Sequence, residues 1–168
     1  MDLEKFIRDI KDFPKKGIVF KDITPLLGNP EAFKVCADQL VSLVDVNIDK
    51  VVGVESRGFF FGGLIAQKLN AGFVPVRKKG KLPFDVIEVS YELEYGTDIL
   101  QIHKDAILKG EKVLIHDDIL ATGGTAKAVC ELVELLGGEI VQCNFIAVLD
   151  FLEGKEKLNY PVKSLMNY

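Results

Sequence analysis

The 168-residue sequence predicts an α/β fold, a single domain with helices packed around a mostly parallel sheet. Three observations predict it. Short apolar runs recur along the chain (Val51-Val52-Gly53-Val54, Phe73-Val74-Pro75-Val76, Val113-Leu114-Ile115), helical periodicity fills the spaces between them, and the runs end at glycine-rich or charged turns. A chain of this length can bury most of the apolar surface of one domain and is too short for two ordinary ones.

Taken in order, Leu3, Phe6, Ile7 and Ile10 repeat at helical spacing and predict a short first helix, followed by a loop through Phe13-Pro14 and beyond. Asn29-Pro30 is a cap followed by a proline at the first helical position, and Phe33, Cys36, Ala37, Leu40, Leu43 and Val44 then mark one apolar face. A strand at Val51 ends in Glu55-Ser56-Arg57-Gly58, and residues 59–69 suit a helix. A second strand follows at Phe73. Val86, Val89 and Tyr91 suggest an extended arm that returns through Tyr95-Gly96-Thr97-Asp98 along residues 99–102, and its stretch over residues 91–96 has little nearby to anchor it in a core. Val113-Leu114-Ile115 predicts a buried parallel strand with Asp117 and Asp118 at its end. A helix over 126–136, a left-handed stop at Gly137-Gly138 and a last apolar run over 140–149 complete the pattern.

Composition narrows the function. With 48% hydrophobic and 27% charged residues the chain has the balance of a folded globular protein, not of a disordered one. A net charge of −4 disfavours a nucleic-acid scaffold, which needs a broad positive field. Cys36, Cys130 and Cys143 are odd in number and form no C-x-x-C pair, so neither a disulfide framework nor a zinc site is indicated. The start Met1-Asp2-Leu3-Glu4-Lys5 lacks the pattern of a signal peptide, and the most apolar stretch, 59–66, is far below spanning length. A soluble cytoplasmic protein without membrane contact is expected.

The chemistry concentrates in V-L-I-H-D-D-I-L-A-T-G-G-T. Gly123 and Gly124 let backbone N–H groups approach a ligand, Thr122 and Thr125 add hydroxyls, and Ala121 is small enough to leave the turn open. The start of the following helix favours an anion there. Two carboxylates beside a phosphate cradle want hydroxyl donors, and a ribose 5-phosphate offers both ends: phosphate for 121–125, hydroxyls for Asp117 and Asp118. Magnesium would offset the mutual repulsion of the acids. The plainer alternative is a solvated acidic loop. Neither a P-loop nor a dinucleotide fingerprint occurs, which argues against a nucleoside triphosphate or NAD. Arg57, at a strand end beside Gly58, fits either a surface salt bridge or a diphosphate contact. Arg77-Lys78-Lys79-Gly80-Lys81 is the one dense basic run, too short to hold a duplex well. Tyr91-Glu92-Leu93-Glu94-Tyr95-Gly96 suits a mobile lid or a solvated loop. His116 reads as a packed strand residue without a role, and His103 lies far from any constellation.

The D-D-I-L-A-T-G-G-T segment resembles the phosphoribosyl diphosphate (PRPP) motif of the type I phosphoribosyltransferases, in the form carried by their adenine-using members. F-P-K-K-G-I-V-F-K-D-I-T-P-L-L, E-S-R-G-F, V-R-K-K-G-K-L-P, Y-E-L-E-Y-G and G-E-K-V-L-I-H-D-D extend the likeness over most of the chain, in the same order. The resemblance implies the type I fold, with a small N-terminal hood over about 1–28 and a flexible lid over about 78–96. It implies Mg²⁺-dependent transfer of phosphoribose from PRPP to adenine, giving AMP and pyrophosphate in purine salvage. The metal would be held through PRPP oxygens and water, with no direct protein ligand. By the same resemblance Arg57, Arg77 and Lys81 contact the diphosphate, the latter two often across a homodimer interface. Phe20 stacks on the base, the Val19 backbone reads its edge, and Lys21 stands where some relatives have arginine, without the planar fork. Glu94 assists proton loss from adenine within a lid that includes Tyr95, and Asp117 and Asp118 hold the ribose. Another purine as acceptor, or a PRPP-sensing regulator, stays open at this point.

Overall fold

A computed structural model describes residues 1–92 and 96–168. A 3₁₀ turn (Leu3–Phe6) leads into β1 (Arg8–Lys11), which pairs antiparallel with β2 (Val19–Asp22), placing Ile10 opposite Phe20. The expected first helix is therefore a single turn. Its apolar spacing was too short to favour a helix over a hairpin, because so few residues cannot offset helix nucleation. The stretch expected as loop supplies β2 and the short helix α1 (Thr24–Gly28), the latter started by Asp22, whose Oδ1 accepts from the Thr24 N–H at 2.9 Å.

The longer elements follow their signals. In α2 (Pro30–Ser42) the Asn29 side chain accepts from the Ala32 N–H at 2.9 Å, the cap that Asn-Pro predicts. Next come β3 (Lys50–Val54), α3 (Gly58–Leu69), β4 (Gly72–Lys78), β5 (Val86–Glu92) and β6 (Thr97–His103). They are followed by β7 (Lys112–Leu120), α4 (Gly124–Leu136), β8 (Glu139–Val148) and, unanticipated, β9 (Val162–Asn167). The main sheet runs β5-β6-β4-β3-β7-β8-β9, parallel from β4 to β9, with β5 and β6 as an antiparallel edge hairpin.

Each central strand buries both faces. Val51 and Leu114 face a core shared with α2 and α3, whereas Val52, Val54, Val113 and Ile115 face one shared with α4. This double burial is why the strands read as continuous apolar runs. Two expectations need correction. β7 does not end at Ile115: its register with β8 runs through Asp117 opposite Phe145 to Leu120 opposite Val148, so both acids sit inside a strand. Tyr91, expected in an unanchored stretch, instead packs on the core with Ile87 and Val89 at the end of a hairpin in which β5 pairs with β6 at seven positions; residues 93–95 of that stretch lie outside the described residues.

Candidate active site

Asp117 and Asp118 owe their position to the close approach of α3 to β7. A Cβ on Gly58 would stand 2.9 Å from Asp117 Oδ1 and 2.9 Å from the His116 carbonyl oxygen, so only glycine lets the helix start there. One residue earlier, Arg57 aims back at the acids. Its Nε lies 2.7 Å from Asp118 Oδ2, an ion pair in which the N–H is not well aligned with the oxygen. The Asp118 side chain is 3% exposed, so this charge has little water and depends on Arg57. Its N–H donates to Asp117 Oδ1 at 2.9 Å. Burial, then the Asp118 charge, pushes the Asp117 carboxyl well above the ordinary range; burial also raises Asp118, against the opposing pull of Arg57. The pair is thus poised to gain from hydrogen-bond donors.

The turn after β7 is shaped for close backbone approach. Gly123 adopts φ 79°, and a Cβ there would meet the Gly154 carbonyl oxygen. In return a Cβ on Gly154 would strike the Ala121 carbonyl oxygen, so the turn rests backbone to backbone on the 3₁₀ segment Gly154–Lys157. Together with Arg57, Asp117, Asp118 and Thr125 the turn encloses a cavity of about 210 Å³. A second cavity, about 390 Å³, continues from the acids past Arg57 toward Glu55, Lys78 and Tyr91. Tyr91 reaches it from β5, its hydroxyl raised by burial against the opposing effect of the Thr125 hydroxyl beside it.

A third cavity of about 200 Å³ opens between the start of β2 and the main sheet. Ile18, Val19 and Phe20 form one wall, with Ile119, Leu149 and Leu152 opposite. Val19 is 42% exposed, so it is not part of the core. Arg57 lines all three cavities, and its guanidinium carbon stands 4.7 Å from the centre of the Phe20 ring. Lys21 lines the third, yet its ammonium is committed elsewhere: 2.7 Å from Asp9 and 3.7 Å from the centre of the Tyr168 ring.

The structure therefore gathers Arg57, Asp117, Asp118 and 121–125 around one site, and Val19, Phe20 and Lys21 beside it. Arg77 and Lys81 line none of the three cavities; both are joined to their edge through Glu55. Glu94 and Tyr95 lie outside the described residues. Sequence reasoning missed Glu55 as a partner, Gly154 as the bed of the turn, and Leu149 and Leu152 as a wall. In sequence Glu55 is only a neighbour of Arg57, and the others carry no local signal because tertiary packing alone brings them in.

Among the described residues no three His, Cys, Asp or Glu side chains converge as metal ligands, and no helix is long and apolar enough to cross a membrane.

Residues 23–167 match the model of the phosphoribosyl transferase domain. The adenine phosphoribosyltransferase of Flavobacterium johnsoniae is 67% identical, with both chains covered in full. The crystal structure of adenine phosphoribosyltransferase from Thermoanaerobacter pseudethanolicus is 50% identical and superposes with a TM-score of 0.97, covering 99% of this chain and 98% of its own. That from Saccharomyces cerevisiae, complexed with an imino-altritol bisphosphate and adenine, is 46% identical with a TM-score of 0.91, covering 96% and 94%. Its motifs, its sheet order and these relatives agree that the chain belongs to the phosphoribosyltransferase family.

Proposed function

We propose that this protein is an adenine phosphoribosyltransferase, converting adenine and PRPP to AMP and pyrophosphate. The observation that carries the reading is the meeting of three cavities at Arg57, with two acids between the phosphate turn and the basic edge. A ligand with a base, a phosphorylated sugar and a diphosphate needs three such divergent spaces. Adenine lies in the apolar cavity against Phe20, its edge read by the Val19 backbone. The 5-phosphate lies on 121–125, and the diphosphate lies toward Arg57, Arg77 and Lys81.

In the reaction the bond from the anomeric carbon to the diphosphate oxygen breaks, and the electron pair leaves on pyrophosphate. Adenine N9 supplies the pair for the new bond and loses its proton, with the Glu94 carboxylate of the lid assisting near N7. Asp117 and Asp118 accept from the ribose hydroxyls, which favours their ionised forms and sets negative charge against the cationic sugar. Magnesium, when bound, neutralises diphosphate charge. An ion carried in by PRPP would suit these residues: Asp118 already faces Arg57, so the acids would meet it through water.

Asp117→Asn together with Asp118→Asn should abolish AMP formation while circular dichroism stays that of the wild type. Comparable AMP formation by the double variant would overturn the ribose assignment. The resemblance further implies a cytoplasmic homodimer, for which a single-chain mass in sedimentation velocity is the contrary result.

A further inference from the structure

Every cation of the basic run is matched to a carboxylate of its own chain. Lys78 Nζ lies 2.8 Å from Asp98 Oδ2 and Lys79 Nζ 3.0 Å from Glu88 Oε1. Arg77 and Lys81 share one acid, Glu55: Arg77 Nε stands 3.4 Å from Glu55 Oε2, and Lys81 Nζ bonds Glu55 Oε1 directly. The Lys78 backbone N–H donates to Glu55 Oε2 at 2.9 Å, and the Glu55 N–H donates to the Val76 carbonyl, which fixes the acid on the β3–β4 edge. The Glu55 side chain is only 8% exposed, whereas Arg77 and Lys81 are 35% and 46% exposed. Two hydrogen bonds, from the Lys78 N–H and the Lys81 ammonium, and the Arg77 ion pair hold the little-exposed Glu55 carboxylate, while both cations are more exposed than the acid they share.

These contacts have the chemistry of a diphosphate site, with carboxylate oxygens where phosphate oxygens would go. A carboxylate and a diphosphate are both oxygen anions, and Arg77 and Lys81 cannot serve both at full strength. Glu55 also lines the cavity that Arg57 and the acids share, and it holds Arg77 and Lys81 at that cavity's edge.

We propose that Glu55 is an internal competitor for the diphosphate: it holds Arg77 and Lys81 in place, weakens PRPP and pyrophosphate binding, and recaptures both cations as pyrophosphate leaves. Glu55 is a positioning residue, and the proposal rests on the reading that Arg77 and Lys81 receive the diphosphate. Burial pushes the Glu55 carboxyl up, but Lys81, the Lys78 N–H and Arg77 outweigh it and hold it below its ordinary value, so it competes as an anion at neutral pH.

The test is calorimetric binding of magnesium pyrophosphate and of PRPP to wild type, Glu55→Gln, Lys81→Met and the double variant. Glutamine keeps an oxygen for the Lys78 N–H and loses the charge. Glu55→Gln should bind pyrophosphate about 3- to 10-fold more tightly, the range of one or two partly exposed ion pairs, with AMP affinity unchanged. In the Lys81→Met background the gain should shrink. In turnover, the KM for PRPP should fall and pyrophosphate inhibition strengthen together. Unchanged or weaker pyrophosphate binding by Glu55→Gln overturns the proposal, as does an equal gain with and without Lys81. If wild type binds pyrophosphate but Lys81→Met binds it equally well, the diphosphate reading of Lys81 has failed instead, and with it this proposal. Should Glu55→Gln fold poorly, Glu55→Asp keeps the charge but not the reach, and a tightening smaller than 10-fold is expected; none contradicts the proposal.

Discussion

Arg57 illustrates how much one side chain in this site is asked to do. Its guanidinium pairs Asp118, lies over the Phe20 ring and borders the spaces assigned to base, sugar phosphate and diphosphate. A lysine could supply the charge but not a planar face for the ring and a fork for oxygens at once. One step away stands His116, which does nothing visible in the chemistry. It is fully buried, its ring meets Phe61 edge to face, and neither ring nitrogen has a hydrogen-bond partner of good geometry. Burial pushes its pKa down to about 3, against a small opposing effect of the Asn144 backbone. The folded state therefore resists the proton that the unfolded chain accepts near 6.5. Stability from this group is present above that pH and is lost as pH falls toward 3. By pH 5 the loss is about 2 kcal/mol. His116→Leu should remove this loss, so denaturant midpoints of variant and wild type should draw apart in the variant's favour from pH 8 to pH 5. Parallel pH curves would contradict the account.

Among the elements, the arm joins the sheet to the chemistry. β5 and β6 give it a rigid base, with Asp98 opposite Tyr91 in the ladder and paired with Lys78. Glu94 follows this base directly in sequence, beyond the described residues. The proposed reaction gives Glu94 the role of assisting proton loss from adenine. Glu94→Gln should lower kcat roughly 10²- to 10⁴-fold with little change in PRPP affinity. A near-wild-type kcat in steady-state assay would remove it from the mechanism. What was legible at this scale follows from where the physics is local. Asn29-Pro30 announced α2 because a cap acts within one turn, and Gly137 announced the end of α4 through its φ of 81°. The length of β7 was hidden by its acids, since charge normally ends a buried strand; here Arg57 and the close approach at Gly58 keep them inside it. The first hairpin was hidden because its apolar spacing fits a helix as well. Glu55 was unreadable as a partner of Lys81, 26 residues away, because only the β3–β4 pairing brings them together.

At the scale of the whole molecule, the parallel sheet carries the ends of β3 and β7 to one edge, where α/β folds bind ligands. Residues 18–21 border that edge on one side and Tyr91 of β5 on another. Neither sheet nor hood alone forms the apolar cavity, whose walls come from residues 18–20 and from 119, 149 and 152. Under the proposed assignment, base choice rests on residues 18–20 and sugar chemistry on the end of β7. The most direct test is to incubate the protein with PRPP and Mg²⁺ and offer adenine, guanine, hypoxanthine and xanthine separately, separating the nucleotides formed. AMP from adenine, with little nucleotide from the other three, is the predicted result. Preferential product from another base would contradict the assignment of the cavity to adenine, and no nucleotide from any base would contradict phosphoribosyl transfer itself.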